Sequence, residues 1–223
     1  MRKENKIALI TGANSGIGKE LSIGISKLKF HVLLLGRNLN RLKKVNDEIE
    51  INNGNSTIVN LDLKDFQGID RLGFEICKKF KKLDLLILNA GILGTLGPIH
   101  HQDPIEFEEV IQINLISNFR LIRSLEPLLK KSKKANVIFI SSGAAHGSKA
   151  YWGAYSVSKA ALEQLANVWS AETRKNNIKI HIINPGATRT NMRAKAMPGE
   201  NPESIQTSKI SANKIINQIK SDF

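Results

Sequence analysis

The chain carries the stretch KIALITGANSGIG at residues 6–18, and this stretch decides how the remaining sequence is interpreted. Its first half, Lys6–Thr11, is an apolar run typical of a buried strand, and its second half is a turn with three glycines. Glycine lets the backbone approach a ligand closely, and unpaired N–H groups at the start of a following helix attract an anion. The stretch therefore predicts a pyrophosphate-binding turn between a strand and a helix. A tight, capped turn without a ligand is the alternative interpretation.

The turn departs from the P-loop, another glycine-rich motif that binds phosphate. Gly18-Lys19 resembles the end of a P-loop, but Ala13 stands in place of its first glycine. Glu20 stands where a P-loop has the Ser or Thr that holds magnesium. These two departures favour a pyrophosphate-binding turn over a P-loop.

Short apolar runs alternate with longer amphipathic segments along the rest of the chain. This alternation predicts an α/β fold, a single-domain Rossmann-like doubly wound parallel sheet of about six strands with helices on both faces. Residues 188–223 predict a substrate lid followed by a basic helix at 210–219, with the final seventh strand missing. We expect strands at 6–11, 31–36, 56–60, 84–89, 136–141 and 178–184, and helices at 16–29, 39–52, 66–82, 104–131 and 152–175.

Composition limits the classes of function. The 223 residues, 41% of them hydrophobic, suit one domain spanning residues 1–223. The single cysteine, Cys77, and the lack of a Cys/His cluster with zinc spacing predict a cytoplasmic protein without a metal site. The apolar run after the charged residues 1–6 is too short for a signal peptide, and no run approaches the ~20 residues that span a bilayer.

The charge balance favours anionic partners. The sequence contains 33 Lys+Arg and 20 Asp+Glu, which gives a formal net charge of +13. Its lysines are spread along the chain, and two Tyr and two Trp are few for stacking on bases. We therefore favour a phosphorylated cofactor and a solvated basic surface over nucleic acid.

The end of the second predicted strand indicates which cofactor binds. An acidic side chain there would bind a ribose 2′-hydroxyl and reject a 2′-phosphate. The chain instead has Gly36-Arg37-Asn38, and the guanidinium of Arg37 suits a phosphate. The residues predict NADP(H) rather than NAD(H), with a solvated surface arginine as the alternative.

Two further segments, read together with the glycine turn, indicate a family. Tyr155-Ser156-Val157-Ser158-Lys159 and Asn89-Ala90-Gly91 make the chain resemble the short-chain dehydrogenase/reductase family from residue 6 to about residue 200. Within that family, the segment from Tyr155 to Met197-Pro198-Gly199 resembles bacterial YciK-like oxidoreductases. The resemblance implies an NADP(H)-dependent oxidoreductase that interconverts a carbonyl and an alcohol by hydride transfer.

The resemblance also implies roles for particular residues. It assigns a catalytic set of Asn114, Ser142, Tyr155 and Lys159, and it makes Ser141 a structural neighbour of Ser142. The cofactor contacts that it implies are Thr11, Gly12, Asn14, Ser15, Gly16, Ile17 and Gly18 at the turn, Arg37 and Asp62 near the adenosine, Asn89, Ala90 and Gly91 after the fourth strand, Tyr155 and Lys159, and Pro185, Gly186, Thr188 and Thr190 after the sixth strand.

The chemistry of Tyr155 and Lys159 agrees with these roles. Reduction of a carbonyl builds negative charge on its oxygen, so a proton donor is needed as the hydride arrives. A phenol has a pKa of ~10, which a nearby ammonium lowers. Tyr155 and Lys159 are four residues apart, so they share one face of a helix. Such a pair is common in structural roles, and the order of all four catalytic candidates is what favours catalysis.

Other functions and partners stay open at this point. A catalytically silent NADP-binding regulator, a 3-oxoacyl-carrier-protein reductase and a basic nucleic-acid-binding protein are the alternatives to a reductase of small carbonyl or alcohol substrates. The resemblance also implies a homodimer, because in this family helices such as those predicted at 104–131 and 152–175 commonly pair in dimers. We expect Tyr151 to line the substrate pocket, and His146 to be an exposed loop histidine.

Overall fold

The structure is a computed structural model that describes residues 6–222. The charged stretch at the N-terminus, except for Lys6, lies outside the described residues, as do the two ends of the predicted domain 1–223. That the chain forms one domain stays a prediction from its length.

Six parallel strands form the central sheet. They are β1 (Lys6–Thr11), β2 (Phe30–Gly36), β3 (Asn55–Asn60), β4 (Leu85–Leu88), β5 (Ala135–Ile140) and β6 (Ile178–Ile183). Their spatial order is β3-β2-β1-β4-β5-β6, so the direction in which strands are added reverses between β1 and β4. Doubly wound sheets bind ligands outside the carboxyl ends of their strands at such a reversal.

Helices cover both faces of this sheet. They are α1 (Gly16–Lys27), α2 (Leu39–Ile51), α3 (Phe66–Lys79), α4 (Pro104–Ile111), α5 (Ser117–Lys130), α6 (Gly153–Glu172), α7 (Asn191–Ala196) and α8 (Ser208–Ile219). None of these helices, within the described residues, is long and apolar enough to cross a membrane.

The sheet separates two apolar cores because successive side chains of a strand point to opposite faces. Leu9 and Leu33 belong to the core that also contains buried side chains of α3, α5 and α6. Ile10 and Leu34 belong to the second core, with buried side chains of α1, α2 and α8. Full burial of each such side chain stabilises the fold by roughly 1.5–3 kcal/mol. The predicted doubly wound architecture is thereby confirmed.

One predicted helix, 104–131, is interrupted. A π-helical turn at Gln112–Ile116 separates α4 from α5. Within the turn, the side chain of Asn114 is fully buried and hydrogen-bonds both the N–H and the carbonyl of Ile92. Apolar spacing does not reveal such a turn, because the apolar face continues across it. The other helix and strand ends lie within three residues of their predicted positions.

The segment predicted as a lid and a helix contains additional structure. Strand β7 (Thr188–Arg189) pairs with β8 (Gln206–Thr207), and α7 lies between them. Helix α7 begins after Thr190, whose hydroxyl accepts the N–H of Arg193 at 3.1 Å. The predicted lid therefore contains a helix that the sequence analysis did not predict. The sequence signal for this helix was Thr190, a residue type that caps helices. Within residues 6–222, no seventh strand joins the central sheet.

Candidate active site

A cleft of about 950 Å³ opens at the carboxyl ends of the strands. This volume lies in the upper part of the range of ligand pockets and suits a dinucleotide with a small substrate. All but three of the predicted site residues line it, namely Gly12, Asn14, Ser15, Gly16, Ile17, Arg37, Asp62, Asn89, Ala90, Gly91, Ser142, Tyr155, Lys159, Pro185, Gly186, Thr188 and Thr190. Residues that are far apart in sequence thus meet in one cleft.

The three exceptions, Thr11, Gly18 and Asn114, lie behind the wall of the cleft. The hydroxyl of Thr11 accepts the N–H groups of Asn89 at 2.9 Å and Ala90 at 3.0 Å, which ties the end of β4 to β1. A Cβ on Gly18 would lie 2.2 Å from the carbonyl oxygen of Gly12. The amide of Asn114 also donates to the hydroxyl of Ser158 at 3.0 Å. Each residue therefore shapes the wall from behind rather than facing a ligand.

The glycine turn fits a pyrophosphate. Gly12 and Gly16 have φ of +66° and +54°, in the left-handed region that side chains disfavour. Among the described residues, no side chain caps the first turn of α1, because Ser15 makes no capping hydrogen bond and the turn contains no acidic residue. The N–H groups of that turn therefore remain for an anion at the positive end of the helix dipole.

A pair of arginines lines the part of the cleft beyond β2. Arg37 follows the strand, and Arg41 lies four residues later on α2. Asn38 caps this helix, with its side-chain oxygen 3.0 Å from the N–H of Arg41. The sequence reasoning missed Arg41, although its place in the first turn of the predicted helix at 39–52, just after Arg37, was a usable signal. Both arginines line the cleft, and a guanidinium group can bind a phosphate bidentately.

Tyr155 and Ser142 meet at the opposite end of the cleft, beyond β5. Burial raises the pKa of the Tyr155 phenol, and a hydrogen bond with the Ser142 side chain opposes this rise. The indole of Trp152 packs against the phenol with ring centroids 5.9 Å apart. We call this part of the cleft, lined by Ser142, Trp152 and Tyr155, the phenol end.

Lys159 brings a buried ammonium to the same place. Its Nζ donates to the carbonyl oxygen of Ile140 at 2.8 Å and lies 5.9 Å from the centroid of the Tyr155 ring. Burial lowers the pKa of Lys159 to about 8, and the negative charge of Glu163 opposes this shift. The lysine can thus influence the phenol through its charge without a direct hydrogen bond.

Glu163 was missed by the sequence reasoning, although it lies four residues after Lys159 on α6. Its carboxylate accepts the hydroxyl of Ser141 and lies 3.1 Å from the ring nitrogen of His146. Glu163 therefore holds the end of β5 and the following loop against α6. Ser141 is a structural residue in this arrangement, and His146 is exposed, as the sequence predicted.

The prediction for Tyr151 was wrong. Tyr151 does not line the cleft, and 63% of its surface is exposed. Its φ of +71° places its backbone in the left-handed region, a conformation that hydrophobic spacing does not reveal. The next residue, Trp152, lines the cleft instead.

The buried ammonium predicts how stability responds to pH. Lys159 has a pKa of about 8 in the folded protein, against 10.5 for an unperturbed lysine. Between these values the unfolded chain binds this proton and the folded protein does not, so this group makes the free energy of unfolding rise with pH. The rise is at most roughly 1.4 kcal/mol per pH unit. We expect the Lys159→Met variant to lose this rise in urea unfolding measured from pH 8 to 10.

A matched control is Lys195→Met, which removes the same charge from an exposed position on α7. Its unfolding free energy should follow the wild-type dependence on pH. If the unfolding free energies of wild type and Lys159→Met change equally with pH over this range, the burial of the Lys159 charge is contradicted. Tyr155 is present in both variants, and it opposes the rise only close to pH 10, where the unfolded phenol begins to ionise and the folded one, with its raised pKa, does not.

The comparisons with known proteins agree with this geometry. A family model for short chain dehydrogenase matches residues 6–201. YciK, an uncharacterised oxidoreductase of Escherichia coli K12, is 35% identical over 206 residues, which cover 91% of this chain and 81% of YciK. The predicted resemblance to YciK-like oxidoreductases is thereby confirmed.

Two solved structures share the fold and, by their descriptions, contain a nicotinamide dinucleotide. A short-chain dehydrogenase of Shigella flexneri 2a in complex with NADP has a TM-score of 0.87 at 34% identity, covering 94% of this chain and 92% of that one. One of Escherichia coli CFT073 with NADPH has a TM-score of 0.88 at 34% identity, covering 96% of this chain and 89% of that one. The glycine turn, the order of the strands and the match over most of the chain agree, and the chain belongs to the short-chain dehydrogenase family, whose members are dehydrogenases and reductases.

Proposed function

We propose that the protein is an NADP(H)-dependent oxidoreductase that interconverts a carbonyl and an alcohol, with Tyr155 as general acid and base. The observation that carries this proposal is the convergence of Tyr155, Ser142 and the buried Lys159 at one end of a cleft that the glycine turn also lines. A bound nicotinamide supplies or accepts the hydride.

The proton transfer is assigned to Tyr155. Its raised pKa keeps the phenol protonated near neutral pH, so it has a proton to donate as negative charge builds on the carbonyl oxygen. Ser142, which hydrogen-bonds the phenol, would donate to the same oxygen. The ammonium of Lys159 stabilises the phenolate that remains, and it favours proton uptake from the alcohol in the reverse direction.

Asn114 is proposed as a positioning residue. Its amide holds the backbone of Ile92 at the wall of the cleft and the hydroxyl of Ser158, which follows Tyr155 by three residues on α6. The π-helical turn directs this amide inward, which agrees with the frequent occurrence of such turns at functional sites.

The cofactor is proposed to extend across the reversal point of the sheet. The glycine turn and the first turn of α1 would hold the pyrophosphate, while Arg37 and Arg41 would hold a 2′-phosphate. Pro185, Gly186 and Thr190 follow β6 and would contact the nicotinamide amide. The NADP and NADPH bound in the two solved relatives support this choice of cofactor.

Reversal of charge at Arg37 tests the cofactor. We expect Arg37→Glu to weaken NADPH binding about 10- to 100-fold and to leave NADH binding little changed, because a carboxylate repels the 2′-phosphate and accepts the 2′-hydroxyl. Titration of the purified protein with each nucleotide, followed by nucleotide fluorescence, measures both affinities.

Lys44→Glu provides the matched control, since it makes the same reversal on an exposed residue of α2 that does not line the cleft. Equal losses in the two variants would mean that only the overall charge matters, and the preference for NADPH would then have no assigned residue. Tight NADPH binding without turnover of any carbonyl would favour the silent regulator. If neither nucleotide binds to the wild type, the reductase proposal fails.

The remaining sequence predictions have no test in the structure. The homodimer and the cytoplasmic location stay predictions. A 3-oxoacyl-carrier-protein reductase remains the alternative enzyme. Replacement of surface lysines distinguishes it from a reductase of small carbonyl substrates. This replacement would slow turnover of carrier-bound substrates and leave free analogues unaffected.

A further inference from the structure

The charged side chains that line the cleft are unevenly distributed. Six are basic, and Asp62, which follows β3, is the single acidic one among the described lining residues. The strand order places β3 and the phenol end on opposite sides of the cleft. Within residues 6–222, no carboxylate lines the phenol end, where Lys159 lies beside Tyr155 and Lys149 beside Trp152.

Two of these cations are already paired. Arg189 binds the carboxylate of Glu203 through both terminal nitrogens, at 2.8 and 3.0 Å. Arg193 also binds the carboxylate of Glu200 bidentately, through Nε and one terminal nitrogen. These pairs neutralise their own charges, so neither arginine supplies the excess positive charge.

Lys149 is different. Its ammonium lies 3.7 Å from the centroid of the Trp152 ring, and no Asp or Glu of residues 6–222 forms an ion pair with it. The nearest acidic influence is Glu200, whose pKa is lowered first by its hydrogen bond from Arg193 and only last by the charge of Lys149. The aromatic face attracts the ammonium and leaves its N–H donors for another partner.

The Trp152 ring links Lys149 to the reacting group. One side of the indole carries the ammonium, and the ring also packs against the phenol of Tyr155. Hydrogen bonds hold the backbone on either side of Trp152, from Gly97 to the carbonyl of Tyr151 at 2.9 Å and from Ala154 to the side chain of Gln102 at 3.1 Å. The ring of Trp152 therefore lies between the cation and the proton donor and contacts both.

We infer that the substrate carries an anionic group, a carboxylate or a phosphate, which binds Lys149 beside Trp152 while its carbonyl lies at Tyr155. This inference rests on the proposed carbonyl reduction, and it names the substrate class of that site. An anionic substrate gives Lys149 its missing counter-charge and orients the carbonyl at the phenol end.

Matched pairs of probes test the inference. The carboxylate pairs are 4-carboxybenzaldehyde with methyl 4-formylbenzoate and 4-oxopentanoate with its methyl ester, and the phosphate pair is dihydroxyacetone phosphate with dihydroxyacetone. NADPH oxidation gives kcat/KM for each probe. We expect the wild type to prefer the charged member of at least one pair, and the pair that shows the preference identifies the anion.

The Lys149→Gln variant should lower the charged-to-neutral ratio of kcat/KM about 10- to 100-fold, as expected for loss of one charge-assisted hydrogen bond. Lys195→Gln, on the exposed side of α7, should leave the ratio at its wild-type value. Equal ratios in wild type and Lys149→Gln, with turnover present, would overturn the inference and leave the proposed function intact.

A binding measurement separates the inference from the proposed function. Trp152 lies under Lys149, so titration with 4-oxopentanoate and with dihydroxyacetone phosphate, in the presence of NADP, should change tryptophan fluorescence in the wild type and not in Lys149→Gln. Saturable binding without turnover of any probe would overturn the proposed function and support the anion site. Absence of both binding and turnover would overturn both.

Discussion

We expect Tyr155→Phe to lower kcat about 10²- to 10⁴-fold, the range typical for loss of a positioned general acid. The variant removes one oxygen from a buried ring and keeps the packing against Trp152. NADPH oxidation with a carbonyl probe measures kcat, and fluorescence titration measures NADPH affinity. Because the change acts on proton transfer, kcat should fall while the affinity for NADPH stays close to that of the wild type.

Tyr151→Phe is the matched control, since it removes the same hydroxyl from an exposed residue outside the cleft. It should keep wild-type turnover. Near-normal kcat in Tyr155→Phe, with the protein folded and NADPH bound, would contradict the assignment of Tyr155. An equal loss of kcat in Tyr151→Phe would mean that the loss comes from a disturbed segment before α6 and not from proton transfer.

The second large effect is expected at Gly18, the last glycine of the glycine turn, which lies in the first turn of α1 behind the wall of the cleft. A Cβ there would meet the carbonyl oxygen of Gly12 at 2.2 Å and the amide nitrogen of Asn89 at 2.5 Å. That amide donates to the carbonyl of Thr11 at 2.9 Å, so it is held in place. We expect Gly18→Ala to lower the melting temperature by roughly 2–12 °C, from an overpacking cost of about 1–3 kcal/mol, and to abolish NADPH binding.

Gly199→Ala makes the same change where no heavy atom lies within 4 Å and where φ is outside the left-handed region. Calorimetry should give it a melting temperature close to that of the wild type. If Gly18→Ala has the melting temperature of the wild type and binds NADPH equally well, the close approach of α1 to the turn is not a feature of the protein.

The fold was largely predictable because its signals are local. The strand and helix periods, the glycines after β1 and the alternation of short and long segments are all read from neighbouring residues. The π-helical turn was not predictable in this way, since it depends on the hydrogen bonds between Asn114 and Ile92, which is 22 residues away. Helix α7 was missed for a different reason. Its capping residue, Thr190, was interpreted as a cofactor contact and not as the start of a helix.

The residues of the candidate site also differ in whether the sequence could predict them. Residues within motifs, such as Gly12 and Tyr155, line the cleft as the sequence predicted. Glu163 lies one helical turn from Lys159 and could have been found by that spacing. Arg41 lies in the first turn of α2, soon after Arg37, and could have been found by its position. No sequence signal pointed to Lys149. Its proposed role depends on its contact with the ring of Trp152 and on the pairing of Glu200 with Arg193, and both are tertiary contacts.

The sequence by itself determined the doubly wound sheet, the glycine turn, the pairing of Tyr155 with Lys159 on one helix and the arginine after β2. These follow from backbone chemistry and from spacing within single elements. The tertiary structure alone decided that Thr11, Gly18 and Asn114 lie behind the cleft, and that Lys149 lies over Trp152 without an ion pair to any Asp or Glu of residues 6–222. The physical reason is that burial and electrostatic surroundings arise from contacts between distant segments, which no local pattern contains.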